Sequence, residues 1–433
     1  MNNRKMNFSS FFTVKLINSL QYSVLLVSSA FVLFSCDNSD IVSTTEAATA
    51  TTDLTTSGLA KTAISKTISY TSKTWMTALP DQLDIRQVSI PGSHDSGSKD
   101  LLALAKCQDM SITDQLNSGI RFLDLRLTPV GSGSIVNFSL MTSHTFVSTT
   151  NVKEVLKDVN LFLTNNPKEI VLIKIARDGG AKFSVPDANN KANAAFYTEY
   201  NLYKNSIKVE NFLTQTLVAK AIDESGLGLK ISTTAKIGLP MVVGDLRGKV
   251  VLFYDYSRFP ATFKKINTIA QGVYEDNLNG VQQLPLVHPS LLIQDFYQNT
   301  WYSSSSTDVS TKKALIQDLM KKRLVLRTKD VSYTLKGVDI TSFNQKMPFS
   351  FNYLSMSGVV TTPKEYAVNI NRFFESDILG YYSINRFSYT IDKLKVNYRV
   401  GYGITMMDFP SANLIKGIYD DNFNGNLEDI TLK

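Results

Sequence analysis

The chain has 433 residues, 43% of them hydrophobic, and a formal net charge of +7. That length and apolar content bury a large core, which excludes disorder for most of the chain and leaves room for one large α/β domain or two ordinary ones. Two cysteines and three histidines, with no histidine pair at helical ligand spacing, exclude thiolate clusters and helix-borne zinc motifs. The basic excess is modest for the length and fits a solvated face, with weak favour for anionic lipid or phosphate-bearing ligands and none for nucleic acid.

Arg4, Lys5 and Lys15 precede an apolar run from Tyr22 to Phe34, after which Ser35, Cys36 and a polar tract follow. The run is short for a bilayer span and has the layout of a bacterial export signal. Leu33-Phe34-Ser35-Cys36 resembles a lipobox, with Phe34 bulkier than that motif usually carries. Residues 1–36 are therefore read as a lipoprotein signal with Cys36 as the lipidated residue, anchoring an exported protein to a bacterial membrane. The Ser/Thr-rich stretch 37–70 reads as a flexible tether, and 71–433 as the folded domain. With Cys36 lipidated, Cys107 has no disulfide partner.

From Trp75 onward, strand-like apolar runs alternate with helix-like segments, the pattern of an α/β fold with a mainly parallel sheet. Strands are predicted at 86–90, 120–127, 169–175, 249–254, 291–294, 349–354 and 402–407. Ser111-Ile112-Thr113-Asp114 caps a helix that Gly119 closes. Val152, Val155, Leu156, Val159 and Leu163 form a stripe at helical spacing, stopped by Asn165-Asn166-Pro167. Thr362-Pro363 opens a helix carrying Tyr366, Ile370 and Phe374. The segments 184–240 and 301–346 exceed ordinary connections and are taken as elaborations of one domain. A barrel of parallel strands fits this count, and His94, Arg126, Asp295 and Asp408 fall where its strands run out, the position of catalytic residues in such barrels.

Two of the three histidines lie in small polar settings, Ile90-Pro91-Gly92-Ser93-His94-Asp95-Ser96-Gly97 and Met141-Thr142-Ser143-His144-Thr145-Phe146. Between them runs the predicted strand that carries Asp124 and Arg126. Imidazoles titrate near neutrality, so one can accept a proton while the other donates. A guanidinium stays charged and grips phosphate through two parallel hydrogen bonds. Together these groups point to acid–base cleavage of a phosphodiester.

In chain order, Ile90 to Ser96, Gln115 to Arg126 and Asn166-Pro167-Lys168-Glu169 resemble the X-box of bacterial phosphatidylinositol-specific phospholipase C. Gly248 to Phe253, Ile293-Gln294-Asp295-Phe296-Tyr297 and Met406-Met407-Asp408-Phe409 extend the similarity over about 75–419. The resemblance implies a distorted (βα)8 TIM barrel in a single large domain. It also implies a metal-independent lyase, in which the inositol 2-hydroxyl attacks its own phosphodiester to give a 1,2-cyclic inositol phosphate and diacylglycerol. By resemblance, His94 is the general base oriented by Asp408, His144 the general acid assisted by Asp95, and Arg126 the phosphate ligand. No cofactor is implied, because Arg126 stands where eukaryotic relatives carry an acidic calcium ligand. Inositol contacts are implied for Asp178, Arg258, Asp295 and Tyr297, and for Lys174 in place of a family lysine that aligns with Ala176. The expected partners are phosphatidylinositol or a related inositol lipid and a membrane surface, and the chain is expected to be a monomer. Two alternatives stay open. One is a phosphodiesterase acting on glycosylphosphatidylinositol anchors, lysolipids or glycerophosphodiesters; the other is a surface module that binds inositol or sugar without turnover.

Overall fold

The computed structural model describes residues 69–178, 184–205, 207–235, 240–254, 281–283, 291–296, 308–320, 349–358, 361–379, 388–391, 394–397 and 401–423. These lie within one compact unit, Lys66–Lys433. Cys36, Arg258 and Tyr297 lie outside the described residues.

Twelve strands are described: β1 Ile90–Ser93, β2 Phe122–Val130, β3 Ser139–His144, β4 Phe146–Asn151, β5 Val171–Arg177, β6 Val250–Tyr254, β7 Val281–Gln283, β8 Leu291–Gln294, β9 Phe349–Tyr353, β10 Ser388–Ile391, β11 Leu394–Asn397 and β12 Ile404–Met407. Seven run parallel in the order β8-β9-β12-β1-β2-β5-β6. Antiparallel β7 flanks β8, and the β3-β4 hairpin pairs antiparallel with the upper half of β2. The parallel strands read as near-continuous apolar runs because helices cover one face and the core fills the other. Every residue of β9 is buried, as are all but the last of β5.

The sheet curls on itself. β6 and β9 are five strands apart, about 24 Å in a flat sheet, yet the rings of Phe253 and Phe349 lie 5.4 Å apart. Phe351 likewise reaches Phe122 and Phe253, each at 5.7 Å. Inward-facing aromatics from β2, β6 and β9 thus meet in one core. The parallel α/β sheet is as expected, whereas closure of the ring between β6 and β7 is not among the described pairings.

The helical punctuation holds. Ser111 and Asp114 form a reciprocal capping box on the helix Ile112–Asn117, as do Thr362 and Glu365 on Pro363–Phe373. The predicted stripe is buried along Val152–Asn165. Gly119 takes φ +110 after its helix, and a Cβ there would lie 2.7 Å from the Tyr419 ring. Below β2, Arg121 is fully buried against Glu169, donating from Nε to Oε2 at 2.9 Å and from Nη1 to the carbonyls of Leu116 and Ile120. This ion pair braces the end of the sheet opposite His94.

Two differences from the expected strand boundaries bear on the site. Residues 85–87 form a 3-10 turn, not a strand, because Asp84 accepts from the Arg86 backbone and guanidinium at once. The strand instead begins at Ile90 and passes through Pro91, whose missing N–H costs nothing because only its carbonyl is used, accepting from Arg121 N. The second difference is that β2 continues to Val130, so Arg126 is not at a strand end. It rises three residues above Leu123, the partner of the last residue of β1, and so stands on the rim of the sheet.

Candidate active site

The end of β1 delivers His94, the rim of β2 Arg126, the end of β3 His144 and the end of β12 Asp408. His94 N donates to Met407 O at 3.0 Å, and Gln108 Nε2 bridges the carbonyls of His94 and Met407 at 2.7 and 2.8 Å. The motif is packed from behind, since a Cβ on Gly97 would lie 2.4 Å from Thr142 Cγ2.

Five predicted residues converge. His94 Nδ1 lies 2.8 Å from Asp408 Oδ1, and His94 Nε2 lies 2.8 Å from Arg126 Nη2. Arginine can only donate, so Nε2 is the acceptor and Nδ1 carries the hydrogen that bonds Asp408. Asp95 is shared: Oδ1 lies 2.9 Å from Arg126 Nε, and Oδ2 lies 3.4 Å from both His94 Nε2 and His144 Nδ1. The two imidazole rings are 6.2 Å apart and near-perpendicular. His144 Nδ1 is 2.8 Å from Ala105 O, a pure acceptor, which leaves Nε2 as the nitrogen that exchanges protons.

Electrostatics follow from burial. Desolvation, with the Arg126 guanidinium alongside, holds His94 well below the ordinary imidazole value, so it is a neutral base at pH 7. Burial pushes the carboxyls of Asp95 and Asp408 up. Arg126, 25% exposed, and His144, 18% exposed, are the members of the set that meet solvent most.

Backbone strain concentrates here. The non-glycine residues with positive φ among those described are Asp95 (+42), Thr145 (+63) and Phe409 (+42). Each is a member of the site or adjoins one, and such conformations cost about 1–3 kcal/mol apiece. Bonds from outside hold them: Thr145 N donates to Asp178 Oδ2 at 2.6 Å and Phe409 N to Cys107 O at 2.9 Å.

The expected inositol contacts fare differently. Asp178 is buried and spends Oδ2 on the His144 hairpin turn, so it positions that turn. Lys174 is fully buried beneath the site, 3.2 Å from Asp124 Oδ1 and donating to Tyr353 Oη at 2.8 Å. Its parity on β5 matches that of Ala176, but Ala176 pairs with Arg126 on the rim while Lys174 lies one pleat deeper, level with Asp124. Asp295 follows β8 and is half-buried. Arg258 and Tyr297 lie outside the described residues.

Four neighbours carry no sequence signal. Gln108 and Asn371 hold the backbones of His94 and Asp408, the latter by donating to Asp408 O at 2.8 Å. Cys107 places its thiol 3.7 Å from His144 Nδ1. Lys312, from the helix 308–320 inside a segment read as elaboration, is fully buried and donates to Gln294 Oε1 and Phe296 O. Burial pulls its amine down to about 7.

Residues 84–215 match the PI-PLC X family model (PI-PLC X 1). The 1-phosphatidylinositol phosphodiesterase of Listeria monocytogenes is 25% identical over 363 residues, covering 82% of this chain and 86% of its own. That of Staphylococcus aureus strain Newman is 24% identical over 305 residues, 67% of this chain and 82% of its own. A solved phosphatidylinositol-specific phospholipase C of S. aureus superposes with a TM-score of 0.50 at 20% identity, covering 81% of this chain and all but 2% of that one (98%), a likeness of fold. With His94, Asp95, Arg126 and His144 gathered inside the matched segment, the chain carries a PI-PLC X domain at residues 84–215.

Proposed function

We propose that the protein is a phosphatidylinositol-specific phospholipase C that works without a metal. The observation that carries the reading is the convergence of two imidazoles, one held neutral and paired to a buried carboxylate, beside one guanidinium. A pure binding module has no use for paired proton-transfer groups. The names of the Listeria and Staphylococcus relatives point to the same substrate.

In this reading the inositol 2-hydroxyl displaces Arg126 Nη2 from His94 Nε2 and gives that nitrogen its proton. The hydroxyl oxygen bonds phosphorus while the bond to the glycerol oxygen breaks, and His144 supplies the proton that diacylglycerol takes away. His94 ends as an imidazolium facing Asp408. The freed Nη2, with Nε anchored on Asp95, turns to the non-bridging oxygens as their charge grows. A nucleophile within the substrate gains from fixed geometry, which the strained turns at Asp95 and Thr145 impose.

Access from a lipid surface is supported by Leu102, Leu104, Phe146 and Val147, apolar and exposed within three positions of the Ala105–His144 contact. Lipidation at Cys36 would keep the domain at such a surface, where the protein would act as a monomer. The deciding experiment is phosphorus NMR of products from phosphatidylinositol vesicles with chelator present. A cyclic inositol phosphate is expected. Release of the open monoester alone would favour a water-using phosphodiesterase, and loss of turnover on chelation would remove the metal-free mechanism.

A further inference from the structure

Cys107 is a fully buried free thiol that the mechanism above leaves unused. It is not isolated. Its Sγ lies 3.7 Å from His144 Nδ1 and 4.0 Å from Asp95 Oδ2, and those two atoms are 3.4 Å from each other. A zinc ion bound tetrahedrally by one thiolate, one imidazole and one carboxylate, at ordinary bond lengths, spaces its ligand atoms about 3.3–3.6 Å apart. All three edges of this triangle are within about 0.5 Å of that spacing. The count of two cysteines argues against a thiolate cluster, but folding joins one of them to ligands of other types.

We propose that Cys107, His144 and Asp95 form a binding site for a zinc-class cation, and that occupation of this site inhibits the protein. The donor set suits zinc, since thiolate and imidazole favour it over calcium or magnesium, which take oxygen ligands. One thiolate and one carboxylate cancel its two charges. The outer shell is present as well, because Arg126 Nε holds Asp95 Oδ1 and leaves Oδ2 facing the other two ligands. On binding, the thiol proton passes to solvent. The hydrogen on His144 Nδ1, now shared with Ala105 O, moves to Nε2, so that Nδ1 offers its lone pair. The ion then holds His144 and Asp95 together. His144 cannot become an imidazolium and therefore cannot act as an acid.

The inhibitory half rests on the phospholipase reading; the binding half does not, and the test separates them. The full chain carrying Cys36→Ser, which leaves Cys107 as its one thiol, is titrated with cobalt(II) in the absence of substrate. A sulfur-to-cobalt charge-transfer band in the near ultraviolet and tetrahedral visible bands are expected, both displaced by zinc. Absence of the charge-transfer band overturns the site, whatever the activity. Turnover of phosphatidylinositol vesicles is then followed against free zinc for this protein and for its Cys107→Ser and Cys107→Ala derivatives, each relative to its own zinc-free rate. Loss of one of three ligands is expected to raise the inhibitory zinc concentration at least about tenfold, and chelator should restore the parent. Equal zinc sensitivity in a folded Cys107 variant overturns the proposal. If no variant folds, the cobalt band of the parent still decides. A parent that shows the band but never cleaves phosphatidylinositol refutes the phospholipase reading and leaves the site standing.

Discussion

Replacing Arg126 probes charge and proton transfer together. Its guanidinium touches both Asp95 and His94, at 2.9 and 2.8 Å. A phosphodiester enters with one negative charge and gains about one more in the transition state, so the stabilisation that accelerates reaction is that of the added charge. At about 4 Å and an effective dielectric near 20 this is about 4 kcal/mol, or about three decades in rate. Arg126→Ala should lose that much in kcat. Arg126→Lys keeps the charge but not the fork, and cannot hold Asp95 while facing phosphate, so it should recover only part. The pH profile adds a signature that a structural defect would not produce. Arg126 is, after burial, the largest influence depressing His94. Removing it raises the His94 value towards that of free imidazole, so the acidic limb of kcat/KM should move to higher pH. The assay is initial rate on phosphatidylinositol in mixed micelles from pH 4 to 9, with thermal unfolding as a control. A fully active Arg126→Lys, or an unmoved limb in Arg126→Ala, would refute the reasoning.

The two histidines separate by leaving group. His94→Ala and His144→Ala should both abolish cleavage of phosphatidylinositol while remaining folded, but a substrate whose leaving group is an acidic phenol needs no proton and should revive only His144→Ala. Revival of both, or of neither, would overturn the assignment of base and acid. Lys312→Met should flatten the stability-pH curve between pH 7 and 10. In that window the unfolded amine binds a proton that the folded one, at about 7, does not, so stability rises with pH by up to about 1.4 kcal/mol per unit. Urea unfolding of parent and variant at several pH values checks this, and equal slopes count against it. Gly97→Ala, with its Cβ 2.4 Å from Thr142 Cγ2, should destabilise by about 1–3 kcal/mol. Thr142→Gly, which removes all three crowding atoms, should relieve part of that loss in a double-mutant cycle, and additivity would show that the clash is elsewhere.

Sequence alone determined the class of fold and five of the residues that the folded chain gathers at its candidate site. Apolar runs separated by caps gave the parallel strands and the helices, because periodicity and capping are local. The two histidine motifs, Arg126 and Asp408 were legible because each lies in an unusual polar setting beside an apolar run. Tertiary structure decided the rest. Pro91 looks like a strand breaker until the neighbouring strand is seen to need only its carbonyl. Lys174 appeared ready for substrate until its level in the sheet put it under the floor with Asp124 and Tyr353. Asp178 proved to hold a turn. Cys107, Gln108, Asn371 and Lys312 have no local pattern, since their roles come from distances between segments as much as 299 residues apart. Chain-local rules say which way a side chain points; only the curl of the sheet says what it meets there.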